Sequence, residues 1–237
     1  MRPWACGAAV TVLSVANGQG APAQSIPPVP QPIPVTVSPA PHTGLVGTWE
    51  ATIRSYGGIG STVLFAADSV FTLVLGAMVD VKYKVNGSEF TFFGEDRGKR
   101  SSETQKLKFV GDTAVLSANG CSMKLTPLET GTVAGSLVGK WRLMHMTGVP
   151  AFEEFTPDGE ARLRVPIQVQ KGMYSVRGDT IAFHTYSPRR EDWSARFRLT
   201  GDTLTVSIGG ERQQYLRARP LIPFDVQQPA PPAGMVC

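Results

Sequence analysis

Any chemistry in this 237-residue chain has to be built from three histidines, three cysteines and 19 carboxylates. His145 follows Trp141 and Leu143 at strand spacing, which turns it inward as a polar group in a cavity or a hydrogen-bonded residue near a strand end. His184 falls on the face opposite Ile181 and Phe183, and His42 closes a Pro-rich stretch. Histidines of opposite facing do not make a metal site, and neither H-x-H nor H-E-x-x-H occurs. Asp68, Asp112, Asp158, Asp179 and Asp202 sit in turn sequences, where a carboxylate serves backbone donors. The adjacent pairs Glu95-Asp96, Glu153-Glu154 and Glu191-Asp192 face opposite ways along a strand and form no acid/base couple. With no Gly-x-Ser-x-Gly elbow and no P-loop, no catalytic residue, metal or cofactor is assigned, and the expectation is a protein that is not an enzyme.

Residues 1–23 read as a secretory signal peptide. Arg2 supplies the charge, Trp4 to Ala16 the apolar stretch, and Ala21-Pro22-Ala23 the cleavage pattern. Export to the periplasm or outside the cell leaves 22 basic against 19 acidic residues, too small an excess to argue for nucleic acid. Export also removes Cys6, so Cys121 and Cys237 either bridge or remain one buried and one terminal thiol. Residues 24–43 form a Pro-rich linker, and residues 220–237 a Pro-rich tail outside the fold. No apolar run is long enough to span a bilayer as a helix.

Two stretches repeat each other in order. Leu45-Val46-Gly47-Thr48-Trp49 recurs as Leu137-Val138-Gly139-Lys140-Trp141, and Phe65-Ala66-Ala67-Asp68-Ser69 as Phe155-Thr156-Pro157-Asp158-Gly159. Tyr83 to Gly87 recurs as Tyr174 to Gly178, and Gly111-Asp112-Thr113 as Gly201-Asp202-Thr203. Four ordered matches at nearly constant offset mark an internal duplication. Within each copy, runs such as Val79 to Val85, Leu163 to Val169 and Thr203 to Ile208 alternate apolar and polar residues, with turn formers between them. Pro166 belongs on an edge or at a bulge. Arg177-Gly178-Asp179 spells an integrin-type tripeptide, but its glycine is what a tight hairpin needs.

The pattern predicts an all-β chain of two tandem antiparallel up-and-down barrels, about eight short strands each, over residues 44–130 and 136–219. Ile53, Phe90, Phe92, Leu107 and Phe109 would face the first interior. Leu163, Val165, Ile181, Phe183, Phe197 and Leu199 would face the second. The stretches Gly94–Glu103 and Ser187–Asp192 read as charged rim loops, with Arg97, Arg100, Arg189, Arg190 and Trp193 as candidate partner contacts.

Gly47-x-Trp49 and Gly139-x-Trp141 resemble the Gly-x-Trp signature of lipocalin-like (calycin) barrels, and Tyr215-Leu216-Arg217 is similar to that family's last-strand motif. Both copies lack the Thr-Asp-x-Tyr pattern and are short, so the resemblance is to small bacterial lipocalin-like domains. It implies tryptophans that close barrel floors, with Arg217 packed over Trp141 and only Lys124 to serve Trp49. It also implies ligand contacts from Trp49, Phe90, Phe92, Phe109, Trp141, His145, Phe183, Phe197 and Arg217. The expected function is non-catalytic binding of a small hydrophobic or amphipathic molecule or an envelope component. The alternative is an inhibitor-like or scaffolding module acting on an envelope protein through its rim.

Overall fold

A computed structural model describes residues 44–55, 57–96, 99–129, 135–188 and 190–229. The described residues are all-β and contain no helix. The first copy supplies β1 (Gly47–Ala51), β2 (Ile59–Phe65), β3 (Val70–Asn86), β4 (Glu89–Asp96), β5 (Lys99–Val110), β6 (Thr113–Ala118) and β7 (Cys121–Pro127). The second supplies β8 (Gly139–Met144), β9 (Pro150–Phe155), β10 (Glu160–Arg177), β11 (Thr180–Ser187), β12 (Glu191–Thr200), β13 (Thr203–Ile208) and β14 (Glu211–Ala218). Neighbours in sequence pair antiparallel, and β1 pairs with β14, closing one 14-strand sheet into a ring.

Across that ring β3 pairs with β10, from Glu160 opposite Lys82 to Met173 opposite Val70. Lys82 also pairs with Phe93, and Phe71 with Phe65, so β2 and β4 share the edge of β3 that faces away from β10. Each long strand thus has one edge filled by its sequence neighbours and one long edge left over. The two leftover edges satisfy each other's backbone donors and acceptors.

The β3–β10 ribbon divides the ring into two circuits of eight strands. The first runs β1, β2, β3, β10, β11, β12, β13, β14, and the second β3 through β10 in order. The pairing does not show a barrel closed within each copy: β1 seals against β14, and β7 against β8. The cores mix the copies in the same way. Leu45, Trp49, Phe65 and Phe71 pack with Tyr174, Ile181, Phe183 and Leu204 in the first circuit. Phe90, Leu107, Leu116 and Leu125 pack with Trp141, Leu143, Phe155 and Val165 in the second.

Pro166 sits at a β-bulge, where the register slips between Pro166 and Gln168. The slip changes which residues face inward. Ala161, Leu163 and Val165 serve the second core, whereas Tyr174 and Val176 serve the first. Gly76 lies opposite the bulge, and a Cβ there would collide with the Val165 carbonyl. The tail departs from expectation, because Leu221, Ile222 and Val226 are buried with Leu64, Val74, Phe152 and Val169. Those four strand residues point away from both interiors, and the tail's apolar residues cover them. The Gln228 side chain accepts from Val169 N at 2.7 Å.

Candidate functional site

The Gly-x-Trp motifs build two matching corners. Gly47 and Gly139 have φ of 130° and 138°, in the region that favours glycine. Each motif tryptophan then donates its indole N–H to the carbonyl four residues earlier, Trp49 to Leu45 and Trp141 to Leu137, both at 2.7 Å. The match continues across the next strand. Gly47 and Trp49 stand opposite Phe65 and Val63, and Gly139 and Trp141 stand opposite Phe155 and Glu153. Val63 and Glu153 are therefore structural twins, a valine in one interior and a glutamate in the other.

Glu153 is 3 % exposed and shares its strand face with Ala151 and Phe155, members of the second core. It lies opposite Trp141 on β8 and Leu163 on β10, and Leu163 in turn faces Val79 on β3. The row Trp141–Glu153–Leu163–Val79 opens outward at its end, where Val79 is 38 % exposed. Among the described residues no hydrogen bond or ion pair reaches the Glu153 carboxyl. Burial pushes its pKa up to about 8, so the group is largely a neutral acid at pH 7. Among the described residues, the buried inward positions of this circuit carry no lysine or arginine. The inward Tyr83 hydroxyl donates to the Thr156 carbonyl at 2.8 Å, and His145 lies one residue beyond the end of β8.

The guanidiniums that flank Leu163 on β10 are committed elsewhere. Arg162 and Arg164 alternate with Ala161, Leu163 and Val165, and so point away from the interior. Arg164, 1 % exposed, binds both carboxylate oxygens of Glu50 at 2.9 and 2.7 Å and Asp80 at 2.7 Å. Arg162 binds Glu154 at 2.8 Å and Glu50 at 3.0 Å, and Arg54 binds Asp80 at 2.5 Å. Burial works to raise the Asp80 pKa, but Arg164 and Arg54 outweigh it and hold the carboxyl below its usual value. This network joins β1 to the β3–β10 ribbon. A recess beside it, lined by Gly60, Gly76, Arg164, Val165 and Ile222, has no room for even a water-sized molecule.

No protein-family model, curated protein or solved structure matches the chain.

The residues singled out from the sequence are placed as follows. Phe90, Phe92 and Phe109 lie in the circuit of Trp141, and Phe183 and Phe197 in that of Trp49, because the copies exchange strands. Ile53 is 67 % exposed, since β1 ends at Ala51 before the alternation reaches it. Arg217 stacks over Trp49 at 4.3 Å, its cross-strand partner, and not over Trp141. It also donates to the carbonyls of Val46 at 2.9 Å and Gly44 at 2.7 Å. Trp141 has Pro127 in the corresponding place. Lys124 is exposed and does not serve Trp49.

His145 is half-buried, with Nδ1 at 2.9 Å from the Thr147 hydroxyl, and burial lowers its pKa. His184 is exposed beside Asp192 at 3.1 Å. Trp193 is not a free rim contact; it stacks on Phe183 at 3.9 Å against the first core. Arg100 and Arg190 are exposed, whereas Arg97, Arg189 and His42 lie outside the described residues. Cys121 is disulfide-bonded, and Cys237, the partner considered for it, lies outside the described residues. Among the described residues no cluster of histidine, cysteine and carboxylate groups could hold a metal ion.

Glu153 was readable as an inward residue from two signals. It alternates with Ala151 and Phe155, and it aligns with Val63 at the offset of the Phe65–Phe155 match. Considering Glu153 only as half of an acidic pair hides both.

Proposed function

We propose that this is an exported, non-catalytic binding protein made of two fused eight-stranded barrels of lipocalin-like character, taking a small hydrophobic or amphipathic molecule. The observation that carries the reading is the repeated floor: a positive-φ glycine, a buried tryptophan tied to the carbonyl four residues back, and an eight-strand circuit above it. Eight strands enclose either packed side chains or one small ligand. Partly open apolar side chains on both cores, Phe92, Phe109 and Leu163 on the second and Val176, Phe197 and Val206 on the first, support the ligand.

A second reading has its own support. Trp49, Trp141, Phe65, Phe71, Phe90 and Phe155 are almost wholly buried, which suits a solid interior and a rim that contacts an envelope protein. Native mass spectrometry of the full chain, purified without detergent from its source, separates the two. A retained small-molecule mass that leaves on denaturation supports the first. A bare chain that captures an envelope protein, and loses it on Arg190→Ala, overturns it in favour of the second.

A further inference from the structure

The duplication supplies an internal control. At one position, opposite the motif tryptophan and one strand from a leucine, the first circuit has Val63 beside Leu73 and the second has Glu153 beside Leu163. The valine shows that the architecture requires no polar group there. A carboxyl in the same place costs folding free energy unless something pairs with it. Within the described chain nothing does: the nearby guanidiniums of Arg162 and Arg164 point outward to Glu50, Glu154 and Asp80.

We propose that Glu153 anchors an internal site in the second circuit for an amphipathic amine, whose apolar body lies along Leu163 and Val79 and whose protonated nitrogen meets the carboxyl. The inference rests on the small-ligand reading above and gives it a location and a ligand class. Charge decides the class. Among the described residues, the buried part of this interior holds one acid and no lysine or arginine, so an anionic head group finds no cation there, and a neutral one shares at most a hydrogen bond with the carboxyl. An ammonium supplies the missing counter-charge inside an apolar enclosure, where an ion pair is screened little by solvent. The step is balanced: the ammonium keeps its proton, the Glu153 acid loses one to the buffer, and no covalent bond between ligand and protein forms. Access follows the row from Val79, its most exposed member, through Leu163 to Glu153.

Isothermal titration calorimetry of the full chain at pH 7 tests this with octylamine, octanol and octanoate in two buffers of different ionisation enthalpy. Octylamine is expected to bind with release of close to one proton, and octanol and octanoate at least tenfold more weakly. Glu153→Val, which copies the twin position, and Glu153→Gln, which keeps the shape, each lose at least tenfold in octylamine affinity while retaining the native far-UV spectrum. Octylamine affinity unchanged in the folded variants, or octanol or octanoate binding equally well, overturns the assignment and leaves the small-ligand reading standing. Failure of all three probes to bind overturns both.

Discussion

Glu153 on β9 stands directly opposite Trp141 on β8, in the place where Val63 on β2 stands opposite Trp49 on β1. One duplicated corner therefore presents two chemistries to two interiors. The consequences reach stability as well as binding.

Stability should depend on pH with a sign opposite to that of an ordinary paired carboxylate. The Glu153 pKa is raised from 4.5 to about 8 in the fold, so between those values the folded state holds the extra proton. Its contribution is present below about pH 4.5 and is lost as pH rises through 8, a total on the order of 5 kcal/mol. Asp80 is lowered, so its contribution is lost as pH falls through its folded pKa. Urea midpoints at pH 5, 6.5 and 8 should fall across the series, and Glu153→Val should flatten the fall.

The buried network gives a separate expectation. Arg164→Ala leaves Glu50 and Asp80 without their shared cation and should cost about 3–5 kcal/mol in denaturant unfolding. Glu50→Gln should cost less, because Arg164 retains Asp80. A double-mutant cycle between Glu50 and Arg164 should return a coupling of about 1 kcal/mol or more; independence would mean that the two do not hold β1 to the ribbon.

Arg217→Ala should destabilise the chain by about 1–2 kcal/mol, through the lost stacking on Trp49 and two lost carbonyl contacts. Lys124→Ala should be silent in the same thermal unfolding assay. The reverse ranking would contradict the placement of Arg217.

Strand exchange is checked by cutting one peptide bond. A protease site placed between Glu129 and Gly135 and cleaved in the folded protein should leave both fragments together on gel filtration, because each core draws on both copies. Fragments that separate under native conditions would mean that each copy closes on its own.

Much of the local structure was legible in the sequence. Period-two alternation locates strands, and of the two places open to Pro166, an edge or a bulge, the structure takes the bulge. The glycines of the two Gly-x-Trp motifs are explained by their φ values. The long-range partners were not legible. Nothing in the alternation says whether β1 seals against β7 or β14, since both present the same kind of half-buried strand to the gap. The lengths of β3 and β10 were the available clue, because a strand twice as long as its hairpin partner keeps an unpaired edge. The same mistake moved Arg217 from Trp49 to Trp141 and put Phe90 in the wrong interior. The tail is hard to read for a different reason: its prolines mask Leu221, Ile222 and Val226, which pack on Leu64, Val74, Phe152 and Val169.

The most direct measurement is a carbon-13 NMR titration of glutamate side-chain carboxyls in the full chain, with Glu153→Gln identifying the resonance. The account predicts one carboxyl that titrates near pH 8 and disappears in the variant. A Glu153 resonance titrating near 4.5 would contradict an unpaired acid in an apolar interior.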